Sequence, residues 1–379
     1  MTYALHQQAQ TPQGLAKVLH LNWSLALLVT AVASAGFLML YSVADGNINV
    51  WALPQMIRFG IGLVAMFVIG LINIHFWRGM APFAYILGLL LLVAVELVGV
   101  TGMGAQRWID LGFMRLQPSE VMKIALVMVL ALYYDWLDPR KVSHPLWLAF
   151  PIILTAIPVL LVLKQPDLGT AILLAGGAGV IIFLAGVSIW YFVAAGLAGI
   201  GTVAAVLYTR GTEFQLLEDY QYRRIETFLD PSQDPLGSGY HITQSKIALG
   251  SGGLEGRGFM EGTQSRLNFL PEKHTDFIFT TLAEEFGFIG SVTLLVLYGL
   301  IIVFCMLSML SNSNRFGALL TGGIAATFFF FFAVNMAMVM GLAPVVGVPL
   351  PLVSYGGSAM LVLMGAFGLV QSAHVHRPR

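Results

Sequence analysis

The chain is poor in charge and almost without cysteine. Only 10% of its 379 residues are charged, against roughly 25% in soluble globular domains. Its single cysteine, Cys305, lies in an apolar run, which excludes an intramolecular disulfide and a cysteine-built metal site. There is no His-Glu-x-x-His motif, no zinc-ligand cluster and no serine nucleophile elbow. The glycine-rich run GSGGLEGRG at 250–258 lacks the Gly-Lys-Ser/Thr of a phosphate-binding loop. Formal net charge is +0, so bulk charge points to neither nucleic acid nor an acidic partner.

What the sequence has instead is hydrophobic residues, 58% of the chain, gathered in repeated apolar runs. A helix that spans a bilayer needs roughly 20 mostly apolar residues. Candidate spans run near 23–43, 55–74, 81–100, 119–136, 146–164, 168–187, 190–208, 277–308, 316–341 and 357–373. The expected fold class is therefore all-α, a polytopic membrane bundle of about ten transmembrane helices. Lys17 and His20 precede an Ala31–Ala35 stretch that looks like a signal-peptidase site. The apolar run continues to Tyr41, so it is read as an uncleaved first helix.

Basic residues in short loops set orientation. With the amino terminus inside, inner segments hold Lys17, Arg78, Arg140, Lys141, Arg315, Arg377 and Arg379, against Arg58, Arg107, Arg115 and Lys164 outside. An even number of spans then puts both termini in the cytoplasm. The expected organisation is a cytoplasmic tail over 1–22, a membrane domain over 23–373 and a short cytoplasmic tail over 374–379. One large extracytoplasmic loop spans 209–276. A loop of that length is uncommon unless functional or disordered. It is rich in glycine and in basic residues, among them Arg223, Arg224, Lys246, Arg257, Arg266 and Lys273. Within it, Tyr240–Leu249 has the pattern of a short amphipathic helix lying along the membrane surface.

Ionisable groups at membrane depth pair or line polar cavities. Glu120 and Lys123 lie three apart on one helical face, fit for either a packing pair or a cavity wall. Asp167 follows Lys164-Gln165-Pro166 in a tight turn, where it can cap the next helix or face a cavity. Glu96 lies near a helix end and is assigned no function. Asp276 opens the eighth span; Thr280 and Glu284 follow it at helical spacing. As a plain structural residue, Asp276 or Thr275 is an N-cap. The last loop, PVVGVPLPLVSYGGS at 344–358, cannot be regular helix because of its prolines. Its two adjacent glycines let backbone amides turn inward, toward an anion or simply for the turn.

Five segments, in order, carry a resemblance that runs from about Trp23 to Gln371: GAQRWIDLG at 104–112, QPSEVMK at 117–123, QPDLGTA at 165–171, FLPEKHTDFIF at 269–279 and PLPLVSYGGS at 349–358. Together they resemble the SEDS family (shape, elongation, division and sporulation), membrane glycosyltransferases of bacterial cell-wall synthesis. Asp110-Leu111-Gly112 and Gly262-Thr263-Gln264-Ser265 look like the elongation-type, RodA branch rather than the division branch, FtsW.

The resemblance implies a peptidoglycan polymerase of the cytoplasmic (inner) membrane that uses lipid II and maintains cell shape. The acceptor's sugar hydroxyl would displace undecaprenyl diphosphate from the donor with inversion. The family's essential loop aspartate matches Asp276, which would act as the base or hold a divalent cation, Mg2+ or Mn2+. A helix start stabilises a carboxylate and weakens it as a base, which keeps the metal role open. Arg107, Lys123 and Lys273 would clamp the diphosphate, with Arg223 and Arg224 as further contacts. The lipid tail would lie near Glu120, Lys123 and Asp167. His274, Thr275 and Ser354 stand in the matching motifs and are expected at the substrate. A partner is implied as well, a single-pass class B penicillin-binding protein that cross-links. Two rival readings are a lipid II flippase, which predicts midplane polar residues and internal repeats, and a non-enzymatic scaffold for that partner.

Overall fold

Backbone N–H and C=O groups in an apolar medium are satisfied most simply within a helix, and the apolar runs of this chain are helical. The computed structural model describes residues 14, 16–102, 105–112, 114–212, 215, 219–230, 234, 237–267 and 272–377. After a short turn α1 (Ala16–Leu19) come α2 (Trp23–Val43), α3 (Ala52–Leu71) and α4 (Ile74–Val98). Strands β1 (Val100–Gly102), β2 (Ala105–Asp110) and β3 (Arg115–Leu116) follow. Next are α5 (Pro118–Trp136), α6 (Pro145–Lys164), α7 (Leu168–Leu184) and α8 (Ile189–Thr209). The long loop holds α9 (Asp219–Leu229), α10 (Ser238–Ser251) and α11 (Thr263–Arg266). The chain closes with α12 (Ile278–Leu310), α13 (Arg315–Val339) and α14 (Ser358–Val375).

Each predicted span falls on a helix. Eight of them, α2, α3, α4, α6, α8, α12, α13 and α14, are long and apolar enough to cross a membrane. Of the other two, α5 carries Glu120, Lys123 and Asp135, and α7 has 17 residues. Helix α4 starts at Ile74, ahead of the expected 81, because the Asn73 side chain accepts from the His75 amide and starts the helix among polar residues. The 100–116 segment is not a plain connection either. It is an antiparallel sheet in the order β1-β2-β3, with Ile109 opposite Leu116 and Asp110 opposite Arg115.

Helices α13 and α14 form the centre, each buried over two-thirds of its apolar window, whereas none of the window in α8 is buried. Helix α13 packs against α5, α7, α12 and α14. Glycines set several close approaches: a Cβ on Gly36 of α2 would lie 2.7 Å from the Val353 Cα in the last loop.

Helix α12 is broken. Gly287 takes φ 63° and ψ −157°, which frees the carbonyls of Glu284 and Glu285 and the amides beyond the break. The long loop fills these positions. Arg257 and Gly258 donate their amides to the Glu284 and Glu285 carbonyls at 3.0 and 3.1 Å, and Phe288 and Ile289 donate to Gly253 and Leu254 at 2.9 and 3.1 Å. Side chains add to the joint: Thr263 Oγ1 donates to Glu284 Oε1 at 2.9 Å, and Ser42 of α2 donates to Glu285. The amphipathic segment is a helix, α10, with Ile242, Ser245 and Ala248 buried on one face. That face docks on α12 and α13, where Ser245 Oγ donates to the Val339 carbonyl at 2.6 Å.

The joint has no room for a side chain at Gly256, where φ is +86° and a Cβ would sit 2.1 Å from the Glu285 carbonyl oxygen. Gly256→Ala is expected to destabilise the protein by more than the about 1–3 kcal/mol of backbone strain alone. Thermal unfolding of the purified protein measures it, and a wild-type midpoint would contradict the packing.

Candidate active site

The site is built where the start of α12 meets the loop between α13 and α14. Residues 272–277 form a turn in which the Thr275 and Phe277 amides both donate to the Glu272 carbonyl at 3.2 Å. The carbonyls of residues 274–276 point out of the turn, and each is taken by another segment. Tyr355 donates its amide to His274 at 2.9 Å, Ser354 its hydroxyl to Thr275 at 2.5 Å, and Asn335 its side-chain amide to Asp276 at 2.8 Å. The turn is thereby held from both α13 and the last loop.

Asp276 is half-buried and lies close to Gly347, whose φ of +69° turns the backbone past it; a Cβ there would be 3.6 Å from Asp276 Oδ2. The expected capping role is not seen. Phe277 occupies the N-cap of α12 without any side-chain cap bond, because the turn carries the Asp276 carboxylate away from the free amides. Thr275 does not cap either; its hydroxyl donates to Glu272 Oε2 at 2.8 Å. Among the described residues nothing hydrogen-bonds or ion-pairs the Asp276 carboxylate. Burial, with the charge of Glu272 adding, pushes it up to about 7. Burial also draws Lys273 down from its ordinary value against the charge of Asp45. His274 is lowered by burial, which favours a neutral imidazole. Its ring stacks on Trp51 at 4.2 Å, and Tyr355 meets Trp51 edge-on at 4.7 Å. Glu284, expected on the face of Asp276, turns instead to the loop at Thr263.

The same last loop walls a narrow cavity. Its other walls are α3, α5, α13 and α14, mainly apolar, with Phe328, Phe331, Met360 and Leu363 facing in. Its polar residues include Gln55, Glu120, Lys123 and Ser354. Lys123 Nζ donates to Glu120 Oε1 at 2.8 Å and sits 3.7 Å over the Phe331 ring. Gln55 of α3 ties the loop down: its amide donates to the Ser354 carbonyl at 3.0 Å. Ser354 Oγ also accepts from the Leu350 amide at 2.8 Å, so its hydroxyl shapes the loop. Asp276 is not among the cavity walls; it lies where the same loop meets the turn.

Two other expected contacts meet one another at the 165–167 turn. Asp167 caps α7, accepting from the Thr170 amide at 3.1 Å and hydroxyl at 2.9 Å, and from Gln117 at 3.2 Å. Arg107 is engaged with the same turn: its Nε donates to the Gln165 carbonyl at 3.0 Å, another nitrogen donates to Pro166, and a third lies 3.9 Å from Asp167. The Arg107 geometry is that of a turn brace. Arg223 and Arg224 lie on α9, and their side chains fall outside the described residues, as do Phe269, Leu270 and Pro271 of the fourth motif. Gln55 and Asn335 carry no charge and stand outside the five motif segments. The signal that finds them is an uncharged polar residue inside an apolar run.

Glu120 and Lys123 are buried and satisfy one another. Lys123→Met would strand the carboxylate, and destabilisation of about 3–5 kcal/mol is expected, largely relieved in the Glu120→Gln, Lys123→Met double variant. Thermal midpoints of the three proteins test this; equal losses in single and double variants would rule out the pair as the cause.

Comparison with known proteins accords with this arrangement. The sequence profile of the cell cycle proteins FtsW, RodA and SpoVE matches residues 16–379. The peptidoglycan glycosyltransferase MrdB of Escherichia coli K12 is 44% identical over 360 residues, 94% of each chain. The probable peptidoglycan glycosyltransferase FtsW of Trichlorobacter lovleyi is 36% identical over 356 residues, 91% of each. Among solved structures, a chain of a peptidoglycan synthase complex that coordinates polymerization and crosslinking superposes with TM-score 0.81 at 32% identity, over 94% of this chain and 98% of that one. Thermus thermophilus rod shape determining protein RodA superposes with TM-score 0.71 at 30% identity, over 97% and 100%. The chain is a multi-pass membrane protein and belongs to the FtsW/RodA/SpoVE family.

Proposed function

We propose that this protein polymerises peptidoglycan glycan strands from lipid II, as the glycosyltransferase of the cell-elongation machinery in the bacterial inner membrane. The observation that carries the reading is the Asp276 carboxylate, unpartnered among the described residues, raised to about 7 and borne on a turn fixed by three carbonyl bonds. Higher identity to the MrdB relative than to the FtsW relative supports the elongation branch. A class B penicillin-binding protein is the expected partner, in keeping with the synthase complex whose chain this one superposes on.

In the reaction the acceptor sugar's hydroxyl oxygen bonds to the donor's anomeric carbon. The bond from that carbon to the diphosphate oxygen breaks, and undecaprenyl diphosphate leaves with the electron pair. Asp276 takes the hydroxyl proton, and configuration inverts. A carboxylate near 7 is matched to this task, since it is substantially ionised at neutral pH yet basic enough to hold the proton. The largely apolar cavity behind the last loop suits the polyprenyl chain, and the few polar groups in its lining suit the start of the head group. Lys123 and Lys273 would be the cations that face the diphosphate. Arg107 would act indirectly, through the 165–167 turn.

A divalent cation fits the donor set in one form only. No group of three or more His, Cys, Asp or Glu that could hold a metal occurs among the described residues. Mg2+ or Mn2+ would take one carboxylate, that of Asp276, and complete its shell with substrate phosphate oxygens and water. Bound there, it would neutralise the leaving diphosphate. Ten spans with both termini in the cytoplasm put α9–α11 and Asp276 on the outer side, where lipid-linked sugar is polymerised; the excess of basic residues in the inner loops supports that orientation.

Two outcomes are expected with labelled lipid II and the partner present. Asp276→Asn should lower strand synthesis by at least about 10²-fold, in the range of general-base catalysis. Wild-type kcat/KM should rise about tenfold per pH unit below about 7 and level off above it, because only the ionised carboxylate accepts the proton. A flat profile from pH 5.5 to 8 would remove Asp276 as the titrating base. Strands made equally by both proteins would turn the reading toward a flippase or a scaffold.

A further inference from the structure

The polar residue least explained by packing is Asn335. It sits in α13 among Phe and Ala, and it is 0% exposed. Its side-chain nitrogen makes two bonds, donating to the Asp276 carbonyl at 2.8 Å and to the Val348 carbonyl at 2.7 Å. Its oxygen has no hydrogen-bond partner among the described residues. A buried acceptor left unsatisfied costs free energy, so an apolar residue would suit this position better unless the two donors were needed.

We propose that Asn335 is a positioning residue for Asp276. One amide nitrogen carries two hydrogens, and here each holds a different strand of the site. One fixes the chain that bears the carboxylate. The other fixes Val348, and with it the Gly347 backbone that faces the carboxylate at 3.6 Å from its would-be Cβ. Both edges of the slot holding Asp276 are thus set by a single side chain. Its side chain hydrogen-bonds two backbone carbonyls and not the carboxylate, and it does not line the cavity, so it acts only through where Asp276 is held. Asp in the same place has the same shape with no hydrogen to give when ionised, and Ser keeps one donor of the two.

The inference rests on the reading of Asp276 above. Initial rates over a lipid II series, with the partner bound, are compared for wild type, Asn335→Ala, Asn335→Asp, Asn335→Ser and Asp276→Asn. Thermal midpoint and partner retention are recorded for each. Asn335→Ala and Asn335→Asp are expected to lose about 10²-fold in kcat, the scale of a misplaced reacting group, with KM unchanged. Asn335→Ser should fall between them and wild type. A folded Asn335→Ala with wild-type kcat overturns the inference, as does a rise in KM alone. Failure of all three Asn335 variants to fold would make the residue a tie of the bundle and overturn it too. Asp276→Asn at the wild-type rate would instead overturn the reading of Asp276, and only through it this inference.

Discussion

A chain that leaves helical geometry beside or within a bilayer finds little water to satisfy its backbone, so its free N–H and C=O groups must be met by other parts of the protein. Two places in this molecule obey that constraint, and between them they organise the functional end. At Gly287 the carbonyls and amides released by the broken helix are taken by the backbone of 253–258. At 274–276 three consecutive carbonyls are taken by Tyr355, Ser354 and Asn335. The first joint fastens the long loop to the bundle. The second fastens the last loop to the turn carrying Asp276. Neither depends on a large apolar interface, which explains how so polar a region is built on so hydrophobic a chain.

The last loop has two uses in consequence. Residues 349–356 wall an apolar cavity, while Ser354 and Tyr355 from the same stretch grip the turn. In the function proposed above, the cavity would take the hydrocarbon tail of a lipid-linked sugar and the turn would act on its head. Gln55 reaches from α3 to hold this loop from below, its amide donating to the Ser354 carbonyl. The loop's prolines keep it from regular helix, so its backbone is free to bond in these several directions.

Much of this was legible in the sequence. Apolar length alone located the helices, because hydrophobic runs near bilayer thickness admit few other structures. The Glu120–Lys123 pair followed from i,i+3 spacing, and the Asp167 cap from its place after Pro166. The break in α12 was hidden, since Gly287 lies in an apolar run like many membrane glycines. The β1–β3 sheet was hidden as well, being too short to impose a pattern of alternation. At Asp276 local rules gave a cap, and the tertiary bonds to its own carbonyl and its neighbours' set the turn differently. Asn335 carries no charge to mark it, and its neighbours Phe328–Phe332 make it look like a lipid-facing stretch.

The interruption of α12 also fixes a height. Unbroken, its 33 residues would extend about 50 Å at 1.5 Å per residue, far beyond a hydrocarbon core of about 30 Å. Below Gly287 the helix continues to Leu310, about 34 Å of rise, close to one bilayer thickness. The lower portion therefore serves as a gauge of membrane depth, and the portion above it as a shelf. Asp276 rides on that shelf, and the backbone joint at 253–258 keeps the shelf from sinking. The carboxylate's distance from the far end of α12 is then set by helix length and by the backbone joint.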